Sequence, residues 1–286
     1  MRKVLKQAKA AFSLLNPTGI MMQAETPIQI GLVADGSSAY AEMEEFLVPS
    51  SLPRHEWCHR INQVHRANDP DVPAEVDVVL YESGLPCPAG AFSFHRGRTG
   101  DTCAEILGEK GGLDLALARQ FPAFRRIVVE RIVHLVSREN AVFVLATALP
   151  NIIPNLIEVP WAVGEFASDT AFLTANQIRM AFQIAAACGG PVGLRDQRAA
   201  IASIAAGAFG WRALARELVG HIPLGGGLIP KGAIAYAGTY LAGKGLEYYH
   251  VHDGAPSRAH QEQLYQEGLD YGRSFAKTVH LATEHA

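Results

Sequence analysis

The hydrophobic period of this chain changes once, near residue 100, and that change limits the folds open to it. Before it, short apolar runs end in turn signals, as strands do. After it, apolar residues recur at three- and four-residue spacing, and no strand signal stands out. The early segment "PIQIGLVADG" reads as a strand entering an Asp-Gly turn, and "EVDVVLYESG" as a second buried strand closed by glycine. Between them "SSAYAEMEEFLV" has helical spacing at Tyr40, Met43, Phe46 and Leu47, with Ser37 or Ser38 as the N-cap. Strand, helix and strand predict a small parallel α/β unit. The stretch from Pro86 to Gly100, rich in Gly and Pro, reads as loop.

The rest reads as helices. Pro122 sits in the first turn of a long one whose apolar face carries Phe124, Ile127, Val128, Ile132 and Leu135. "SDTAFLTANQIRMAFQIAAACGG" has Ser168 or Asp169 as N-cap and Gly189 as its stop. "RDQRAAIASIAAGAF" and "GWRALARELVGHIP" are two more helices. "KGAIAYAGTYLAGKGLEYY" brings small residues at Ala233, Ala237, Gly238, Ala242 and Gly245, which suit close helix packing in protein or in lipid. The fold expected is an α-rich α+β chain. A small, degenerate α/β head with an amphipathic N-terminal helix covers 1–100, a larger all-helical domain 101–252, and a linker with a last amphipathic helix 253–286.

Bulk properties exclude more than they select. The 286 residues suffice for one large or two ordinary domains, and a net charge of −3 with scattered Lys and Arg gives no field that favours nucleic acid. Four cysteines without a CxxC pair form neither a disulfide framework nor a zinc knuckle. The uncharged run Asn140 to Ile157 approaches a bilayer span in length, but Pro150 and Pro154 break it, so a buried helix ending near Leu149 fits better. The start, "MRKVLKQAKAAFSLLNP", is a poor signal peptide and reads as a surface helix with a basic side.

The residues from about Phe121 to Tyr249 resemble the uncharacterised helical domain of YcjF-type bacterial proteins, which is associated with Era-like GTPase modules. The segments that carry the resemblance are "FPAFRRIVVERIV", "SDTAFLTANQIRMAFQIAAACG" and above all "GWRALARELVGHIPLGGGLIPKGAIAYAGTYLAGKGLEYY". It implies an all-helical bacterial module, cytoplasmic or at the inner face of the membrane, linked to GTPase biology. It implies no catalytic residue and no substrate.

Two stretches invite a chemical reading. "GLVADGSS" has glycines at Gly31 and Gly36 in phosphate-loop spacing, followed by Ser37 and Ser38. The Lys that such a loop needs is replaced by Ser37, and Asp35 adds a negative charge where phosphate would bind. Glu82 and Gly84 stand where a GTPase has Asp and Gly, and no Asn-Lys-x-Asp guanine reader occurs. A degenerate phosphate loop at Gly31, Asp35, Gly36, Ser37 and Ser38 follows, with weak GTP binding as its functional form.

"HEWCHRINQVH" places His55, Glu56, His59 and His65 at the spacing of a zinc peptidase, Asn62 replacing the turn glycine. Arg54 and Arg60 beside the ligands, Pro53 at the helix start and no Met between Met43 and Met180 weigh against it. No cofactor is expected; zinc and GTP are the alternatives. Asn176, Gln177 and Arg179 interrupt an apolar helix and point to buried hydrogen bonding, while Lys231 opens a helix as a solvated charge or a lipid-phosphate contact. The function expected is a non-enzymatic interaction or regulatory module, with a zinc hydrolase as the enzymatic alternative. Its partners would be a protein, a GTPase among the candidates, a membrane touched peripherally, or a second copy of the chain as a homo-oligomer, and not nucleic acid.

Overall fold

The computed structural model describes residues 17–70, 72–148, 169–202, 228–252 and 254–284. The expected N-terminal amphipathic helix, the prolines after Leu149 and the helix "GWRALARELVGHIP" lie outside them. The chain is an α-rich α+β protein that divides into two units. A head comprises Thr18–Glu130 together with Ala186–Gly190, and a helical unit comprises Arg131–Ala185 and Pro191–Ala286. The head therefore extends about thirty residues beyond the expected boundary at 100, and the last helix belongs to the helical unit rather than to a separate tail.

The head is built on a four-stranded sheet. In chain order it contains α1 (Thr18–Ala24), β1 (Ile30–Val33), α2 (Ser37–Leu47), α3 (Arg54–Ile61), β2 (Val64–Arg66), β3 (Val78–Glu82), β4 (Phe92–Phe94), α4 (Thr99–Glu109) and α5 (Asp114–Gln120). The strands run parallel in the order β2-β1-β3-β4. Ile30 and Leu32 of β1, Val78 and Leu80 of β3, and Phe92 and Phe94 of β4 are buried, so alternate side chains of these strands enter the core. On α2, Ala39, Tyr40, Met43 and Leu47 form the buried face. Burial of Met43 and Leu47 contributes about 1.5–3 kcal/mol each. Arg66 at the end of β2 holds Glu44 of α2 through two hydrogen bonds of 2.6 and 2.8 Å. Gln120 ties three segments: its Nε2 donates to the Thr26 carbonyl, and its Oε1 accepts from Ile28 N and Gln63 Nε2.

Two strands differ from the sequence reading. β4 lies in the stretch read as loop, and β2 lies at the end of the stretch that carries the zinc-peptidase spacing. Each has only three residues, too few to show a period of two. No strand follows Gly100 among the described residues.

The helical unit holds most of α6 (Pro122–Ala148) and α7 (Asp169–Ala187), with α8 (Leu228–His252) and α9 (Arg258–Glu284). Pro122 opens α6 as expected. α7 stops at Gly189, whose φ of 80° is one that glycine adopts without strain and whose N–H bonds the Ala186 carbonyl. α8 and α9 lie antiparallel, since Gly268 meets Ala237 while Gly272 meets Ala233. Gly243 of α8 likewise faces Val133 of α6 and Met180 of α7. Ala233, Ala237 and Gly243 of α8 thus serve close packing within the chain, whereas Gly245 meets nothing within 4 Å. Phe143 and Phe172 stack with ring centroids 3.9 Å apart. No helix among the described residues is long and apolar enough to cross a membrane.

Candidate functional site

In an open parallel sheet a ligand crevice forms at the carboxyl ends of the strands, where the strand order reverses. Here that point lies between β1 and β3: the chain leaves β1 toward β2, then returns past β1 to β3. The residues of the degenerate phosphate loop are divided by this geometry. Gly31 lies inside β1, paired with His65 on one side and Val79 on the other, so it is part of the ladder and not of a loop. Only Ala34, Asp35 and Gly36 separate β1 from α2. Gly36 is the N-cap residue in an extended conformation (φ −136°), open to any side chain, and it replaces Ser37 and Ser38 in the expected capping role. Both serines are exposed in the first turn of α2.

The remaining chemistry at this point is acidic. Glu82, the last residue of β3, accepts a hydrogen bond from the Asp35 backbone N–H through Oε2 at 3.0 Å. A carboxylate of the chain itself therefore sits on an amide that a phosphate-binding loop would aim at its ligand. Arg96, which follows β4, is ion-paired with Glu42 of α2. The Asp35 amide is taken by Glu82, and the three-residue loop has neither a lysine nor the length to wrap two phosphates.

The fold divides the residues of the zinc reading between a helix and a strand. α3 ends at Ile61, and Asn62 takes a right-handed helical conformation (φ −66°) rather than the left-handed turn of the motif. The chain then enters β2, where His65 pairs in the sheet and its Nε2 lies 2.7 Å from Gln29 Oε1. His55 and His59 are exposed, and Glu56 is ion-paired with Arg60 at 2.6 Å. Among the described residues no group of three or more His, Cys, Asp or Glu side chains is placed to hold a metal ion.

The helical unit contains a polar network that the sequence reading caught in part. Asn176 Nδ2 donates to Asn140 Oδ1 and to Glu139 Oε2, both at 2.9 Å. Arg179 donates from Nε to Asn176 Oδ1 and pairs with Glu139. Asn140 Nδ2 donates to Thr239 Oγ1 at 2.8 Å, and Thr239 donates to the Ala235 carbonyl. Asn140, Asn176 and Thr239 are buried, and every link joins α6, α7 or α8. Such a network fixes the register of three helices. The missed partners, Glu139 and Asn140, interrupt the apolar run of α6, the same signal that marked Asn176 on α7. Lys231 is exposed.

No family model, no curated protein and no solved structure matches the chain.

Proposed function

We propose that this protein is a non-enzymatic interaction or regulatory module, linked to a GTPase or to a membrane-associated complex on the cytoplasmic side. The observation that carries the reading is the Glu82 carboxylate on the Asp35 amide. It spends the Asp35 backbone donor of the switch-point loop on an internal anion and puts a second carboxylate beside Asp35 there. The resemblance of the helical region to the YcjF-type domain supplies the GTPase and membrane link. The helical unit also offers exposed apolar side chains, Leu135 on α6 and Tyr271 on α9, with His134 edge-on to Tyr271 at 4.9 Å. Single exposed apolar groups are common, yet Tyr271 is held against the rings of His134 and Tyr240.

The test is isolation of the full chain, cross-linked in its own host cells, with identification of what accompanies it. A GTPase or inner-membrane components that are lost in the Leu135→Glu, Tyr271→Glu variant support the reading. Recovery of neither from wild type contradicts it.

A further inference from the structure

Three guanidinium groups gather at the end of the head's sheet opposite the switch point. Arg119 donates from Nη1 to the carbonyls of Ala186 at 3.2 Å and Gly190 at 3.0 Å. Arg125 donates from Nε to the Ala118 carbonyl, and its Nη2 lies 3.7 Å from where a Cβ on Gly189 would stand. Both arginines thus close on the five residues 186–190. Arg60 lies in the last turn of α3 and is only 9% exposed. Its Nη2 pairs with Glu56, but its Nη1 is buried with no hydrogen-bond partner among the described residues. Gln63 is one turn further on. Its Nε2 binds Gln120, the neighbour of Arg119, while its Oε1 is also buried and has no hydrogen-bond partner among the described residues.

The electrostatics agree with this gathering. Burial lowers the Arg125 pKa most, and the charge of Arg60 lowers it further; Cys188 and Glu56 oppose, and Arg119 adds to the lowering. Among the described residues, the three cations of this group face the one carboxylate of Glu56, an excess of positive charge in a part-buried place. Unpaired buried charge is costly, and an anion removes the cost.

We propose that Arg60, Arg119 and Arg125 form a binding site for a phosphate-type oxyanion, either inorganic phosphate or a phosphate monoester. Guanidinium forks match paired phosphate oxygens, and a dianion matches the excess charge. Hydrogen phosphate supplies both an acceptor for Arg60 Nη1 and a hydroxyl for Gln63 Oε1. This site is distinct from the degenerate loop at Gly36 and does not depend on the function proposed above.

Cys188, half-buried within the segment 186–190, serves as the reporter, and the exposed Cys87 as the internal control. The full chain is alkylated with iodoacetamide, and the rate at each cysteine is read by peptide mass spectrometry. The additions are sodium phosphate, glycerol phosphate, succinate or chloride at equal ionic strength. Either phosphate compound is expected to slow Cys188 and not Cys87, by about tenfold at ten times the dissociation constant. Protection by inorganic phosphate indicates a free ion, and protection by glycerol phosphate alone indicates an ester. Arg60→Gln is expected to abolish the effect. Arg125→Lys, which keeps the charge and loses the fork, is expected to weaken it, so the test survives if one variant does not fold. Equal effects of chloride show only screening, and equal effects of succinate show a carboxylate site; either overturns the proposal. So does protection unchanged in both variants, and so does no protection by either phosphate compound.

Discussion

Gly272 of α9 lies so close to Ala233 of α8 that a methyl group on it would stand 2.8 Å from the Ala233 Cα. Gly268 stands in the same relation to Ala237, at 2.9 Å. The obstacle in each case is backbone, which cannot turn aside as a side-chain tip can. Gly245 on α8 has nothing within 4 Å of its virtual Cβ. Helix propensity alone favours alanine over glycine at all three positions by about 1 kcal/mol. Gly268→Ala and Gly272→Ala are nonetheless expected to lower stability by about 1–3 kcal/mol, the usual cost of overpacking. Gly245→Ala is expected to raise it by up to about 1 kcal/mol. Urea unfolding of the three variants checks the contrast.

The polar network gives a second expectation. Arg179→Met leaves Glu139 and Asn176 short of a partner in a half-buried place, at a cost of about 1–3 kcal/mol. Adding Glu139→Gln removes the uncompensated charge. The double variant is expected to be more stable than the sum of the two single losses, with a coupling of about 0.5–3 kcal/mol. Simple additivity in a double-mutant cycle would show that the network has no energetic meaning.

His250 near the end of α8 carries a pH dependence. Its Nε2 is buried without a hydrogen-bond partner among the described residues, and burial lowers its pKa below the ordinary 6.5. The unfolded chain then binds this proton more readily than the folded one, so stability rises with pH through that window. The contribution is full above 6.5 and is lost as pH falls through the folded-state value. His250→Leu is expected to show a smaller fall in thermal midpoint than wild type between about pH 7 and pH 5.

Cysteine reactivity separates surface from core. Cys103 is buried on α4, its Sγ 3.5 Å from the Ala123 carbonyl, and burial pushes its pKa up to about 12. A thiol held there is a poor nucleophile at neutral pH. Alkylation of the native protein is expected to mark the exposed Cys58 and Cys87 and to spare Cys103 until the chain unfolds. Early labelling of Cys103 would contradict the packing of α4 described here.

The long helices were legible because their signals are local. Pro122, Gly189 and the apolar spacing on α2 and α9 each determine structure within a few residues. The strands of β1 and β3 were legible from their apolar runs. β2 and β4 were not, because three residues paired in a sheet carry no period, and their existence depends on Ile30 and Leu80 far away in sequence. The same limit governs the sites. The spacing of His55, His59 and His65 presumes one continuous helix and turn, and the entry of the chain into β2 separates them. The spacing of Gly31 and Gly36 presumes a loop, and the sheet takes Gly31. The gathering of Arg60, Arg119 and Arg125 spans distant segments and leaves no trace in spacing. Asp35 opposite Glu82 is a contact across 47 residues of the same kind.

The most direct test of the closed switch point is isothermal titration of the full chain with GTP and with GDP, each with Mg²⁺, in phosphate buffer that already fills any phosphate site at the arginine cluster. With Glu82 on the Asp35 amide and no lysine in the loop, no heat above dilution is expected at about 1 mM nucleotide. A saturable, Mg²⁺-dependent heat of one nucleotide per chain would contradict it.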